Sequence, residues 1–177
     1  MTVAQPAGTH GDDWDPRAPE VLADQLRAYD ALRALAERPD VQALLREDTA
    51  AIPPAVDELL RIHPPLVANR RRATRDVVVG GRRIRAGSPV TLLWASANRD
   101  ERVTGDPDES RLDRDPADNL LYGTGIHECP GAPLAHLELP MLVEELLAAT
   151  AHVGPVAHAA RAAYPASGFT ALVVDVR

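Results

Sequence analysis

The only cysteine of the chain, Cys129, stands inside Leu121-Tyr122-Gly123-Thr124-Gly125-Ile126-His127-Glu128-Cys129-Pro130-Gly131, where an irregular stretch meets a helical pattern. Glycine at 123, 125 and 131 lets backbone approach a flat ligand closely and permits positive φ. The helix that follows turns its positive end toward the sulfur, and helix N-termini favour anions, thiolates included. A thiolate facing one open coordination position suits iron. An isolated cysteine is more often core packing, but the surrounding loop argues for a ligand. Two further groups carry chemistry. Glu58 and Arg61 lie three apart in a helical pattern, so they share a face and can form an ion pair. In isolation such a pair is common and weak. Arg71, within Asn69-Arg70-Arg71-Arg72, offers the planar fork that matches a carboxylate. Plain solvent exposure explains Arg70 and Arg72.

The elements that must position these residues can be read from period and punctuation. Leu22, Leu26, Tyr29, Leu32 and Leu35 recur at helical spacing behind Pro19, predicting a helix over Pro19–Glu37. A shorter one follows over Asp40–Arg46, and Pro53–Pro54 opens a third that must stop near Ile62, because Pro64 disfavours helical geometry at His63. Asp76–Val79, Arg82–Ile84 and Pro89–Trp94, with a Gly80–Gly81 turn, predict a small antiparallel hairpin sheet. Asn98 to Asn119 reads as a long irregular connection, a kind of loop that is usually functional. A strong helix is expected over Ala132–Thr150 and a strand over Phe169–Val174. The fold class is therefore mainly α with a small antiparallel β-sheet (α+β). Residues 1–17 read as a flexible arm and 18–177 as one domain.

Composition narrows the classes. With 45% hydrophobic residues but only six aromatics, the core must be built from Leu, Val and Ala. No apolar run approaches the ~18–20 residues that span a bilayer, and the N-terminus lacks a signal pattern, so a cytoplasmic location is expected. A net charge of −7 argues against nucleic acid or acidic membrane as partner, although all 19 basic residues are arginine and four fall within Arg70–Arg75.

The Cys129 loop resembles the haem-binding signature of the cytochrome P-450 family. Tyr122, Gly123, Gly125, His127, Cys129 and Gly131 fall on that motif in order, and Ala132-Pro133-Leu134-Ala135 continues as in bacterial members. The resemblance implies haem b as cofactor, Cys129 as its axial iron ligand, His127 and Arg71 as propionate contacts, and Glu58 and Arg61 as the Glu-x-x-Arg brace of the haem loop, followed by His63-Pro64-Pro65. Asn98-Arg99-Asp100 also matches. The likeness runs from about Ala31 to the C-terminus, corresponding to the C-terminal, haem-proximal half of a truncated P-450 fold.

Departures from the family pattern shape the functional expectation. Aligned backward without gaps, the oxygen-activating acid–threonine pair falls on Leu22 and Ala23, which cannot relay protons, with Asp24 beside them as a weak substitute. The meander position that supplies a second arginine, the triad's third member, to the brace reads Glu109–Ser110, predicting an incomplete triad. Glu128 beside the ligand should weaken docking of an acidic ferredoxin. Pro130 lacks an N–H, which removes one backbone hydrogen bond to sulfur and should lower the iron potential. Proline there also occurs in peroxide-using relatives. Pro140 should interrupt and kink the ligand helix, at ~3 kcal/mol if uncompensated. The resemblance thus implies a haem-thiolate enzyme of specialised metabolism acting on a small molecule, by peroxide-driven oxidation or a redox-neutral transformation. A second copy or a partner protein is expected to close the open distal face. The alternative is a non-catalytic helper that stabilises or regulates a partner enzyme.

Overall fold

A computed structural model describes residues 19–156, 160–161 and 169–177, with side chains over 27–156 and 172–177. The 1–17 arm lies outside the described residues. Three helices come first: α1 (Pro19–Ala36), α2 (Pro39–Glu47) and α3 (Ile52–Ile62). Prolines at the first positions of α2 and α3 have no N–H to leave unpaired there. Helix α3 ends at His63, whose N–H still bonds Leu59 before Pro64 forces extended backbone.

Four strands follow: β1 (Ala68–Arg72), β2 (Val77–Val79), β3 (Arg82–Ile84) and β4 (Pro89–Leu93). The expected single hairpin sheet is two separate ladders. β2 pairs β3, whereas β4 pairs β1, with Asn69 opposite Leu92 and Arg71 opposite Val90. Strand β1 was hidden in sequence because its ladder is made by backbone groups and its Ala-Asn-Arg-Arg-Arg side chains carry no apolar alternation. Trp94 opens a one-turn helix, α4 (Trp94–Ala97), rather than ending a strand, and α5 (Glu101–Thr104) interrupts the long connection.

The last long helix, α6 (Ala132–Ala149), runs through Pro140 without interruption. Proline removes a single rung there, the bond to the His136 carbonyl, and the flanking turns persist. The single strand expected over Phe169–Val174 is two, β7 (Phe169–Ala171) and β8 (Val174–Val176), which pair with the unexpected β6 (Ala160–Arg161) and β5 (Val153–Pro155) respectively.

Helix α1 sits between two apolar clusters. Ala31, Ala34 and Leu35 pack with Leu45 of α2, with Ile52, Val56, Leu59 and Leu60 of α3, and with Leu139, Val143 and Leu147 of α6. Leu32 and Ala36 face Val153, Leu172 and Val174. Each buried leucine contributes about 1.5–3 kcal/mol. Gln42 ties the clusters together: its amide donates to the carbonyls of Leu35 and Val153 (2.9 and 2.7 Å) and accepts from Val153 N–H. The result fixes α3 and α6 against each other, and the candidate site hangs from those two helices.

Candidate functional site

The loop before α6 closes on itself through backbone bonds. Gly123 N–H donates to Leu120, Glu128 N–H to Gly125, and Cys129 N–H to the Tyr122 carbonyl at 2.8 Å. Gly123 holds φ +74°, and a Cβ there would stand 3.3 Å from the His127 carbonyl, so both backbone angle and space demand glycine. Gly125 is also left-handed, at φ +67°. The Cys129 carbonyl accepts from Ala132 N–H, which joins the loop to the first turn of α6. Thus the cysteine is half-buried just ahead of a helix N-terminus, as the sequence indicated.

The Glu58–Arg61 pair is a buried one, unlike the exposed pairs common on helix surfaces. Both side chains are almost fully buried, and Arg61 Nε donates to Glu58 at 2.6 Å. Arg61 also donates to the carbonyls of Asn98 and Pro107. The incomplete triad is corrected by the structure: Arg114, five residues beyond Glu109, reaches Glu58 at 2.9 Å. It is half-buried and bonds the Thr104, Asp106 and Glu109 carbonyls as well. The substitution works because a long guanidinium arm can approach the carboxylate from a different backbone position. Burial alone would push the Glu58 carboxyl up, but bonds from Arg61, Arg111 N–H and Arg114 together hold it below the usual carboxylate range.

This brace leads directly to the loop. Asn98 is fully buried; its side chain donates to Asn119 and accepts from Leu120 N–H at 2.7 Å. Asn119 in turn donates to the Asp57 carbonyl of α3 and accepts from Leu121 N–H. Arg61 therefore positions the residue before Tyr122 through two asparagines. On the other side, Trp94 donates to Asn69 of β1 at 3.2 Å, and its ring lies 4.0 Å from where a Gly123 side chain would begin. Arg71 alternates onto the same strand face as Asn69; its described bond is to the Arg70 carbonyl. His127 is exposed, as is Glu128.

Two residues escaped the sequence reading. Arg27 of α1 donates from Nη2 to Cys129 Sγ at 3.6 Å, and its guanidinium lies 5.4 Å from the Tyr122 ring centre. His136 meets that ring in a tilted contact, centroids 4.9 Å apart, and faces Asp57 at 3.5 Å. Burial pushes the Asp57 carboxyl up, against the opposing pull of His136. Nothing in local spacing links Arg27 to a residue 102 positions away, whereas His136 lies only seven residues beyond Cys129, in the second turn of α6. Leu22, Ala23 and Asp24 lie on α1, with side chains outside the described residues. A cleft of about 390 Å³, lined by Pro53, Asp57, Arg61, Val103, Leu112 and Asn119, opens against the brace and does not include Cys129.

A glycine-framed thiol loop braced by a buried Glu-x-x-Arg unit is also what comparison finds. The cytochrome P450 family model matches residues 49–149, which contain both. The chain belongs to the cytochrome P450 family. It is 46% identical over 116 residues to cytochrome P450 130 of Mycobacterium tuberculosis, covering 64% of this chain and 28% of that protein. Against cyclomarin C epoxidase CymV of Salinispora arenicola it is 44% identical over 112 residues, covering 63% and 28%. The solved structure of cytochrome P450-153 from Novosphingobium aromaticivorans superposes with a TM-score of 0.80 at 37% identity, over 88% of this chain and 40% of that one. The chain thus spans well under half the length of these P450 relatives.

The P450 family implies a haem, and the donor set fits one. A single soft sulfur is offered from a rigid loop, Arg71 keeps guanidinium N–H groups available for a carboxylate, and α6 directs its N-terminus at the sulfur. The one contact that opposes the fit is Arg27 on the sulfur.

Proposed function

We propose that this P450 chain binds haem b through Cys129 and acts on a small molecule in specialised metabolism. The reaction we infer is a peroxide-driven oxidation or a redox-neutral transformation rather than reductively driven monooxygenation. The observation that carries the reading is the intact brace from Glu58, Arg61 and Arg114 to the Cys129 loop. When bound, haem would supply a thiolate-ligated iron able to activate an oxidant or act as a Lewis acid.

The chain's own residues have separable roles. Cys129 holds the iron, and Arg71 and His127 take the propionates. Tyr122, Gly123, Gly125 and Gly131 shape the cradle, and Glu58 and Arg61 keep it in register. Leu22 and Ala23 supply no proton relay, which disfavours the reductive route. Asp24 is the candidate to hold a proton near substrate. Exposed Leu134, Leu137 and Met141 on α6 and Ile126 on the loop call for a covering surface from a second copy or partner protein. Exposed Glu128 disfavours an acidic ferredoxin. No described helix is long and apolar enough to cross a membrane, in keeping with a cytoplasmic setting.

The test is turnover by haem-loaded protein without any reductase, with hydrogen peroxide or with no oxidant, against a panel of small polyketide, terpenoid and peptide substrates. Product that requires both haem and Cys129 supports the enzyme. Stoichiometric haem with no turnover under either condition contradicts it and favours the helper role.

A further inference from the structure

The sulfur of Cys129 already has a partner. Arg27 Nη2 points at Sγ from 3.6 Å, and the same guanidinium packs over the Tyr122 ring, 5.4 Å from its centre. Tyr122 is not a passive surface. Its carbonyl accepts the Cys129 N–H, and its ring also contacts His136, which faces Asp57 of α3. Arg27 is therefore clamped between the sulfur and an aromatic face that is itself fixed to the ligand loop. A guanidinium on a sulfur is a charge-assisted donor, and over a tyrosine it gains cation–π attraction.

The approaches to this sulfur are few. Pro130 has no N–H to offer it, and Gly131 brings backbone close enough that an added Cβ would lie 3.7 Å from Sγ. Arg27 enters from α1, the helix whose earlier turns carry Leu22 and Ala23. Iron bound to Cys129 Sγ would need the approach that Arg27 takes. Arg27 and iron cannot both have it.

We propose that Arg27 is a latch on the haem site: its guanidinium competes with haem iron for Cys129 Sγ, and loading requires the arginine to leave both the sulfur and Tyr122. This rests on the reading of Cys129 as the haem ligand. Latching gives the haem-free chain a defined partner for its thiol and makes haem uptake slow and selective. The contact is local, so removing Arg27 leaves the brace at Glu58 and Arg61 untouched.

The experiment is stopped-flow and equilibrium haem binding, read by the Soret band, for the full chain, Arg27→Ala, Arg27→Lys and Tyr122→Leu, with circular dichroism confirming the fold. Arg27→Ala should load haem at least ten-fold faster and bind it more tightly. Lysine, which lacks the planar fork for the ring, should fall between. Tyr122→Leu, which loosens one jaw of the clamp, should also load faster. Should Arg27→Ala not fold, Arg27→Lys and Tyr122→Leu carry the same comparison. Equal or slower loading in all variants, with normal haem in the parent, overturns the latch but not the haem reading. No haem uptake by parent or variants overturns both.

Discussion

The brace and the ligand loop are built on opposite principles. At Glu58 the carboxylate is buried and answered, by Arg61, Arg114 and the Arg111 N–H. Around Cys129 the backbone is closed by three loop hydrogen bonds, but Ile126, His127 and Glu128 all face outward and the sulfur meets the Arg27 guanidinium. The first region is complete in the protein alone; the second is shaped for something to be added. Order flows from one to the other through Asn98 and Asn119. The comparison teaches that a site can be kept in register by distant charges while its own side chains stay uncommitted.

The largest effect should come from leaving a buried charge alone. Arg61→Ala should cost about 3–5 kcal/mol, measured by urea unfolding, because Glu58 then stays desolvated with half its partners gone. Cys129→Ser should change the same midpoint little; a large loss there would break the contrast. Arg114→Ala should cost about 1.5–3 kcal/mol, the range for a hydrogen bond to a charged group. It should also weaken haem retention if this second arginine matters to the loop.

Acid should attack the brace first. The Glu58 carboxyl titrates below its unfolded value of about 4.3. Its contribution is thus complete above that pH and is lost as pH falls through the lower folded value. Stability measured from pH 5 downward should drop steeply in the parent and less steeply in Glu58→Gln. Gly123→Ala should cost about 1–2 kcal/mol, for left-handed backbone and the crowded His127 carbonyl. The smallest effect is His127→Ala. Stability of the haem-free chain should stay within about 0.5 kcal/mol, while haem dissociation should quicken if this exposed imidazole meets a propionate.

Much of this architecture was legible because it is local. Proline positions and helical spacing located α1, α2, α3 and α6 to within a residue or two, and the three glycines marked the loop. What failed was long-range or carried by backbone. β1 is a strand because its amides pair with β4, which a run of arginines does not announce. The triad's second arginine was sought at 109 because motif alignment counts residues, whereas Arg114 finds Glu58 through side-chain reach. Arg27 meets Cys129 only after α1 and α6 have packed, so no window of sequence contains the contact. Pro140 was judged by its local rule, yet the turns on either side keep α6 continuous.

The most direct test of the central claim is the reduced, carbon monoxide-bound absorption spectrum of haem-loaded protein beside Cys129→Ala. A red-shifted Soret band of the kind that thiolate ligation produces, present in the parent and lost in the variant, is the predicted result. A parent with stoichiometric haem whose spectrum matches the variant's would show that the iron is held elsewhere and would contradict the account.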